Sequence, residues 1–411
     1  MSSSIEPLPV QKLDSLLAQS LGNDFQIKHI EWRPLTAPGE NFGSVMLAIS
    51  VTLSWPATNK TETLNLVAKL PPTNAYLLDL FNSSVTFRKE LRFYSSMARE
   101  YVNLQLESGI NEEDLTILVP KFYSGRLGLK SNEFDEQATI ILENLKSNGF
   151  ETEDRIYGLD KKHTEYAIQK LAKLHALTIA LKMKKPQMYE KIAAEVMMKV
   201  ANETTIKCTG EMIYKTIQDI KGLQGIEPYL DRVTRTINCE SLIETSNPEE
   251  PWGTLVHNDF WVNNMMFRHD NKGNIIDMKI VDFQLGDYDY GAKDLLFFLI
   301  SSANKEIIDN KLDDMIDFYY SNFIEALKSL RVDTEKFSKQ KFDEIVNKCG
   351  PLKFSQCIMM TQVIQAPRGI TPEMKDLQDN NVFMDISSNE VYRNKLFHTI
   401  TVFEKRGWLL K

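Results

Sequence analysis

The chain has 411 residues, 43% hydrophobic and 25% charged, with a formal net charge of −8. That is ordinary globular usage; it excludes disordered, collagen-like and coiled-coil chains and suits two or three domains or one two-lobed unit. The acidic balance offers no basic field to nucleic acid or anionic lipid, and no apolar run reaches the roughly eighteen residues a bilayer span needs, so neither nucleic acid nor membrane is an expected partner.

The four cysteines, Cys208, Cys239, Cys349 and Cys357, form no C-x-x-C pair. They make neither a disulfide framework nor a zinc site. They fit a reducing, cytoplasmic setting, as small buried hydrophobes. Met1 to Val10 has no basic stretch followed by an apolar run, so no secretory signal is expected.

In chain order, a strand is expected from Phe25 to Leu35, ending in the turn Pro38-Gly39-Glu40-Asn41-Phe42-Gly43-Ser44. From Ser44 to Trp55 the apolar residues Val45, Leu47, Ile49, Val51, Leu53 and Trp55 share one parity, a strand signal. After Pro56 to Lys60 a second strand runs from Glu62 to Leu70, making an antiparallel hairpin. Pro71-Pro72 ends it. Helical spacing of Phe87, Leu91 and Tyr94 predicts a helix over Val85 to Tyr101. A β pair is expected near Leu115–Val119 and Ala138–Leu142.

Lys146-Ser147-Asn148-Gly149 breaks the pattern. A long helix then spans Asp160 to Leu181, with Asp160 as N-cap and a stripe of Ile168, Leu171, Ala172 and His175. Further helices are expected at about 184–201, 208–222 and 225–238, read from that same periodicity. A short β region follows Trp252. Beyond Asp294 the chain reads as helices at about 293–302, 313–330, 338–348, 353–365 and 388–406. The expected architecture is α+β: a β-rich N-terminal lobe over residues 1–145 and a mostly helical C-terminal lobe over residues 146–411.

Candidate chemistry concentrates between His257 and Asp294. His257-Asn258-Asp259 is followed by Asn264, five residues past the aspartate. A polar turn, His269 to Asn274, leads into an apolar strand, Ile275 to Val281, and then Asp282-Phe283-Gln284. The hairpin brings the two loops together. Phosphoryl transfer needs one carboxylate to take or orient the hydroxyl proton and two oxygen ligands for magnesium. Asp259 suits the first task, Asn264 and Asp282 the second, and His257 would brace the loop. The competing reading is a polar loop with a capping aspartate and a core histidine. A metal-dependent hydrolase would need a second histidine at ligand spacing, and none lies nearby.

Nucleotide phosphates also need a cation held by an anion. Lys69 has the parity opposite to Leu66, Ala68 and Leu70, so it faces away from the lobe core. Glu90 lies on the apolar stripe of the following helix, where a carboxylate needs a buried partner. Lys69 is the natural one. Gly39, Asn41, Gly43 and Ser44 form a turn whose backbone N–H groups could approach phosphates, although a plain hairpin turn would look similar.

Together with Leu142-Glu143-Asn144-Leu145 and Leu171-Ala172-Lys173-Leu174-His175-Ala176, these motifs resemble the insect ecdysteroid kinase-like family, part of the aminoglycoside phosphotransferase and choline kinase group of protein-kinase-like folds. The resemblance runs from about residue 25 to about residue 330. It implies a two-lobed protein-kinase-like fold and an ATP- and Mg²⁺-dependent kinase acting on a small-molecule alcohol, an ecdysteroid or a hydroxylated xenobiotic, without an obligate protein partner. By position it implies Asp259 as base with His257 beside it, Asn264 and Asp282 as magnesium ligands and Lys69–Glu90 as the phosphate-side ion pair. Glu143, Asn144 and Leu145 would form the adenine hinge, and Asp294 would support the catalytic loop. His175, a lone histidine on an apolar stripe, reads first as core packing. Where the wider group often has glycine this chain has Asn258, which tolerates unusual backbone angles best after glycine. Asp287 and Asp289 leave open a choline- or aminosugar-type acceptor, and a nucleotide-binding module without catalysis is the remaining alternative.

Overall fold

The computed structural model describes residues 7–35, 43–130, 132–237, 247–366 and 387–411. It opens with a helix unread in the sequence, α1 (Leu13–Leu21), followed by β1 (Gln26–Pro34), β2 (Val45–Trp55) and β3 (Lys60–Leu70). The period-two stripe sets the register: Leu47 lies opposite Ala68, Ile49 opposite Leu66 and Val51 opposite Leu64. All six are buried, and Leu13, Leu16 and Leu17 of α1 cover them as one apolar cluster. That outer layer consumes one face of the sheet and leaves the other, with Lys69, turned inward.

Next come α2 (Ala75–Leu80), α3 (Ser83–Arg92) and α4 (Ala98–Glu107). The single helix expected over Val85–Tyr101 is instead α3 and α4 joined by a π-helical turn, Phe93–Met97. Such turns add one residue and recur at functional sites. Here Phe93, Tyr94 and Met97 are all buried in the main core.

The expected β pair is shifted. β4 (Phe122–Arg126) pairs with β5 (Thr139–Glu143), giving a five-stranded antiparallel sheet of order β1-β2-β3-β5-β4. Leu115–Val119 is an extended connector instead. Its Leu118 carbonyl accepts the Ile280 N–H at 2.8 Å and its Ile117 carbonyl accepts Lys279 Nζ at 2.7 Å. It looked strand-like because it does bond to a strand, but one in the other lobe.

The second lobe begins with the two-residue β6 (Phe150–Glu151) and α5 (Lys161–Lys184), where Asp160 caps the His163 N–H as expected. α6 (Pro186–Val196), α7 (Glu203–Lys221) and α8 (Leu230–Thr236) follow. β7 (Gly253–Val256) precedes the hairpin β8 (Met265–His269) and β9 (Ile275–Ile280). β10 (Asp287–Tyr290), unread in the sequence, pairs antiparallel with β7. The chain ends in α9 (Gly291–Ser302), α10 (Lys305–Asn310), α11 (Leu312–Ser329), α12 (Lys339–Gln365) and α13 (Glu390–Lys405).

α12 corrects the two helices expected at 338–348 and 353–365. Gly350-Pro351 reads as a break because proline lacks a donor and clashes with the preceding turn. The helix runs through it. A Cβ on Gly350 would fall 2.4 Å from the Trp408 ring, so the glycine admits Trp408 directly onto the helix. Among the described residues no helix is long and apolar enough to cross a membrane. The result is a two-lobed α+β fold, with the five-stranded sheet and α1–α4 on one side of a cleft and α5–α13 with β7–β10 on the other.

Candidate active site

Lys69 sits mid-sheet, opposite Met46 on one side and Ile140 on the other. Its Nζ lies 2.6 Å from Glu90 Oε2 on α3 and 3.0 Å from Asp282 Oδ1 across the cleft. The Lys69 and Glu90 side chains are 5% and 2% exposed, and Asp282 is 24% exposed. Burial alone would strip the Lys69 proton, but Asp282 and Glu90 outweigh it and push its pKa up. Burial pushes the Glu90 carboxyl up while the Lys69 ammonium pulls against it. At 2.6 Å from a cation held by two carboxylates, the ionised pair is the consistent state.

The His257–Asn264 loop is tied at both ends. Asn264 Nδ2 donates to Asp259 Oδ2 and to the Asp259 carbonyl, both at 2.9 Å, and its Oδ1 has no donor among the described residues. The Val281 N–H donates to the Asn264 carbonyl at 3.0 Å, so the residue before Asp282 is fastened to the end of that loop. Burial first, and then the charge of Asp282, push the Asp259 carboxyl up to about 7.

His257 is fully buried and its Nε2 lies 3.0 Å from the Val281 carbonyl. A carbonyl only accepts, so Nε2 carries the proton. Burial lowers the His257 pKa and keeps the ring neutral. Its ring packs on Phe283, 4.7 Å between centroids, and Phe283 stacks on Phe93 of the π-helical turn at 3.6 Å. Asp294, also buried, accepts the His257 N–H at 2.6 Å and the Asn258 N–H at 2.8 Å. Burial would raise the Asp294 carboxyl, but its bond from His175 and nearby positive groups hold it below the usual carboxylate range. His175 is indeed core, yet not only packing: Nε2 lies 3.3 Å from Asp294 Oδ2 and Nδ1 lies 2.7 Å from the Tyr319 hydroxyl.

Two residues of the loop take left-handed backbone angles, Asn258 (φ 64°) and Asp282 (φ 69°). Asparagine and aspartate accept that region best after glycine. Asn258→Gly keeps this backbone and loses only the side-chain acceptor that Lys353 uses, whereas Asn258→Val should cost a further ~1–2 kcal/mol through backbone strain. Equal denaturant midpoints for the Val variant and the parent would contradict the strained-turn account.

Sequence reading missed what holds Asn258 from behind. Lys353 Nζ donates to Asn258 Oδ1 at 3.2 Å, and Gln356 Nε2 donates to the Asn258 carbonyl at 2.8 Å, both from α12. Lys353 is buried beside Phe354 and Cys357. A charge on an apolar helix face was the available signal, the same one that singled out Glu90. Gln284 was likewise unassigned; its Nε2 lies 3.4 Å from Asp282 Oδ2.

The remaining predicted residues divide. Gly39 and Asn41 lie outside the described residues. Gly43 comes against Gln284, where a Cβ would sit 3.6 Å from Nε2, so this end of the turn does reach the cleft. The Ser44 hydroxyl is buried with no hydrogen-bond partner among the described residues. At the expected hinge, the Glu143 N–H donates to the Lys121 carbonyl and the Asn144 N–H to the Asn65 carbonyl. Leu145 is buried and opens a short 3-10 turn. Asp289 lies 2.5 Å from Lys293, whereas burial pushes the Asp287 carboxyl up, and the nearby charge of Lys89, whose Nζ donates to the Met198 carbonyl, only partly opposes it.

The arrangement thus joins one amine, three carboxylates and one amide from both lobes. Solved structures similar in coverage include an ethanolamine kinase from Plasmodium vivax (8% identity, TM-score 0.37, 89% of this chain and 84% of that one). A choline kinase, LicA, from Streptococcus pneumoniae is 12% identical (TM-score 0.40, 92% and 94%). A choline/ethanolamine kinase family protein from Mesorhizobium loti is 10% identical (TM-score 0.39, 92% and 91%). No curated protein matches. The sequence profile of the ecdysteroid kinase-like family matches residues 38–332, well over half the chain and every candidate residue from Gly39 to Asp294: the chain belongs to the ecdysteroid kinase-like family.

Proposed function

We propose that this chain is an ATP- and Mg²⁺-dependent small-molecule kinase that phosphorylates an alcohol hydroxyl, of an ecdysteroid or a hydroxylated xenobiotic. The observation that carries the reading is Lys69, bridging Glu90 at 2.6 Å and Asp282 at 3.0 Å across the cleft, beside Asp259 bonded to Asn264. Asp259 takes the proton of the acceptor hydroxyl as its oxygen forms the new bond to the γ-phosphorus. The bond from that phosphorus to the β–γ bridging oxygen breaks, and ADP leaves. Lys69, steadied by Glu90, steers the phosphates.

Asn264 Oδ1 and the Asp282 carboxylate, which the Lys69 ammonium and the Gln284 amide hold in place, are hard oxygen donors of the kind Mg²⁺ takes. The ion supplies charge neutralisation for the transferring phosphoryl group. Gly39, Asn41, Gly43 and Ser44 would line the phosphates. At the hinge, with the Glu143 and Asn144 N–H groups engaged, adenine recognition falls to Leu145 and the carbonyls. His257 and Asp294 act as positioning residues. An uncharged acceptor is favoured over a choline- or aminosugar-type cation because Asp289 already pairs with Lys293 and burial disfavours the charged form of Asp287.

Lys69→Met should lower kcat/KM for ATP by ~10²–10³, the usual cost of losing one electrostatic stabiliser. Glu90→Gln should repeat the effect more mildly, since the amine stays but loses its anchor. Steady-state kinetics at varied ATP tests both, and a neutral Glu90→Gln would remove the ion pair from the mechanism. The acceptor is tested with labelled ATP, magnesium and a panel of steroid and phenolic alcohols, with choline and aminosugars alongside, read by mass spectrometry. ATP binding, seen as a ligand-dependent thermal shift, without any phosphorylated product would leave the non-catalytic module.

A further inference from the structure

A second cluster lies at the turn end of the β8–β9 hairpin, the end away from Asn264 and Asp282. His269 closes β8, where the register slips between Arg268 and His269. His163 lies in the first turn of α5, and Glu153 lies in the loop after β6. His163 Nε2 is 3.0 Å from His269 Nε2 and 3.5 Å from Glu153 Oε1, and Glu153 Oε1 is 3.9 Å from His269 Nε2. The mechanism above uses none of these residues.

The geometry points to a binding site for Zn²⁺ formed by Glu153, His163 and His269. A triangle with sides 3.0, 3.5 and 3.9 Å has a circumradius of about 2.0 Å, so one point lies about 2.0 Å from all three ligand atoms. That is the usual Zn–N and Zn–O bond length, ~2.0–2.2 Å. The outer shell fits as well. Asp160 Oδ1 lies 2.8 Å from His163 Nδ1, which fixes the proton there and leaves the Nε2 lone pair toward the cluster. The side chains are 17%, 28% and 32% exposed for His163, His269 and Glu153, so an ion has an entry path and a fourth position for water. Two imidazoles with one carboxylate favour zinc over magnesium, which prefers oxygen donors. A bare ring-to-ring hydrogen bond would use the same two nitrogens but needs no carboxylate facing both.

Zinc here would clip three segments together: the loop between β6 and α5, the α5 start and the hairpin. The hairpin carries Asn264 and Asp282 at its other end, and α5 carries His175. The ion would therefore stiffen the frame of the cleft without entering it.

The test uses the metal-free, full-length chain titrated with Zn²⁺ alone against a colour-forming chelator, with elemental analysis after dialysis. One Zn²⁺ per chain is expected, undisturbed by millimolar Mg²⁺ and unchanged in Asp282→Asn. His269→Gln should weaken binding by ~100-fold or more, and Asp160→Asn by ~10–100-fold as an outer-shell loss. Zinc should also raise the unfolding temperature of the parent and not of His269→Gln. Equal zinc affinity in His269→Gln and the parent, both folded by circular dichroism, would overturn the site. So would no zinc uptake, or uptake abolished by Asp282→Asn or excess Mg²⁺, which would place the ion in the kinase cleft. Should His269→Gln not fold, Glu153→Gln with Co²⁺ decides: the visible bands of tetrahedral cobalt should disappear, and unchanged bands would reject the assignment.

Discussion

Asp282→Asn is expected to lower kcat by ~10³-fold or more, the largest single loss in the site. The scale follows from the usual cost of removing preorganised charge stabilisation, ~10²–10³ per donor, compounded because Asp282 has two tasks. It offers a carboxylate oxygen to the metal and holds the Lys69 amine at 3.0 Å. Asparagine is the right probe because it keeps the left-handed backbone (φ 69°) and the side-chain shape while removing the charge. A secondary effect separates this account from simple damage. The Asp282 charge helps push the Asp259 carboxyl up, so its removal should move the acid limb of the residual pH–rate profile to lower pH. Pre-steady-state and steady-state kinetics at saturating MgATP would measure both. A kcat within tenfold of the parent would exclude Asp282 as a metal ligand.

Such coupling between lobes also marks what a sequence can and cannot reveal. Lys69 was legible because strand parity is a local rule: once Leu66, Ala68 and Leu70 form the outer core, residue 69 must face the other way. The hairpin β8–β9 and the Asp160 cap were legible for the same reason, since turn residues and periodicity lie within a few positions of each other. The connector Leu115–Val119 was misread because its partner, Ile280, is far along the chain and bonds it in the manner of a strand. Pro351 was misread because a helix-breaking rule assumes an isolated helix, and Trp408 packed on Gly350 holds this one through the break. Lys353 and Gln356 escaped because they act on Asn258 from helix α12, 95 and 98 residues further along. Local chemistry identified the reacting groups; the groups that hold them in place are set by tertiary contact.

Asp259→Asn is the second large effect, and it should pull activity and stability in opposite directions. General-base help is worth ~10²–10⁴ in rate, and kcat should fall by that factor. In the parent, the Asp259 carboxyl is pushed up to about 7, chiefly by burial. The active base is the ionised form, so kcat/KM should drop as pH falls below about 7, while the asparagine variant should show no such limb. The stability sign is the reverse of a salt-bridged carboxylate. An unfolded aspartate ionises near ~3.9, so between that value and about 7 the native state holds a proton that the unfolded state releases. Unfolding therefore becomes easier as pH rises through this window, and above about 7 the native state carries the full cost of an ionised, half-buried carboxylate beside other acids. Asparagine carries no charge and can still accept from Asn264 Nδ2, which lies 2.9 Å from Asp259 Oδ2 in the parent. Its unfolding temperature should thus exceed that of the parent, by more at about pH 8 than at about pH 5. Thermal melts of the nucleotide-free proteins at the two pH values decide it, and a variant that is less stable at the higher pH would mean that Asp259 is ionised without penalty in the folded chain.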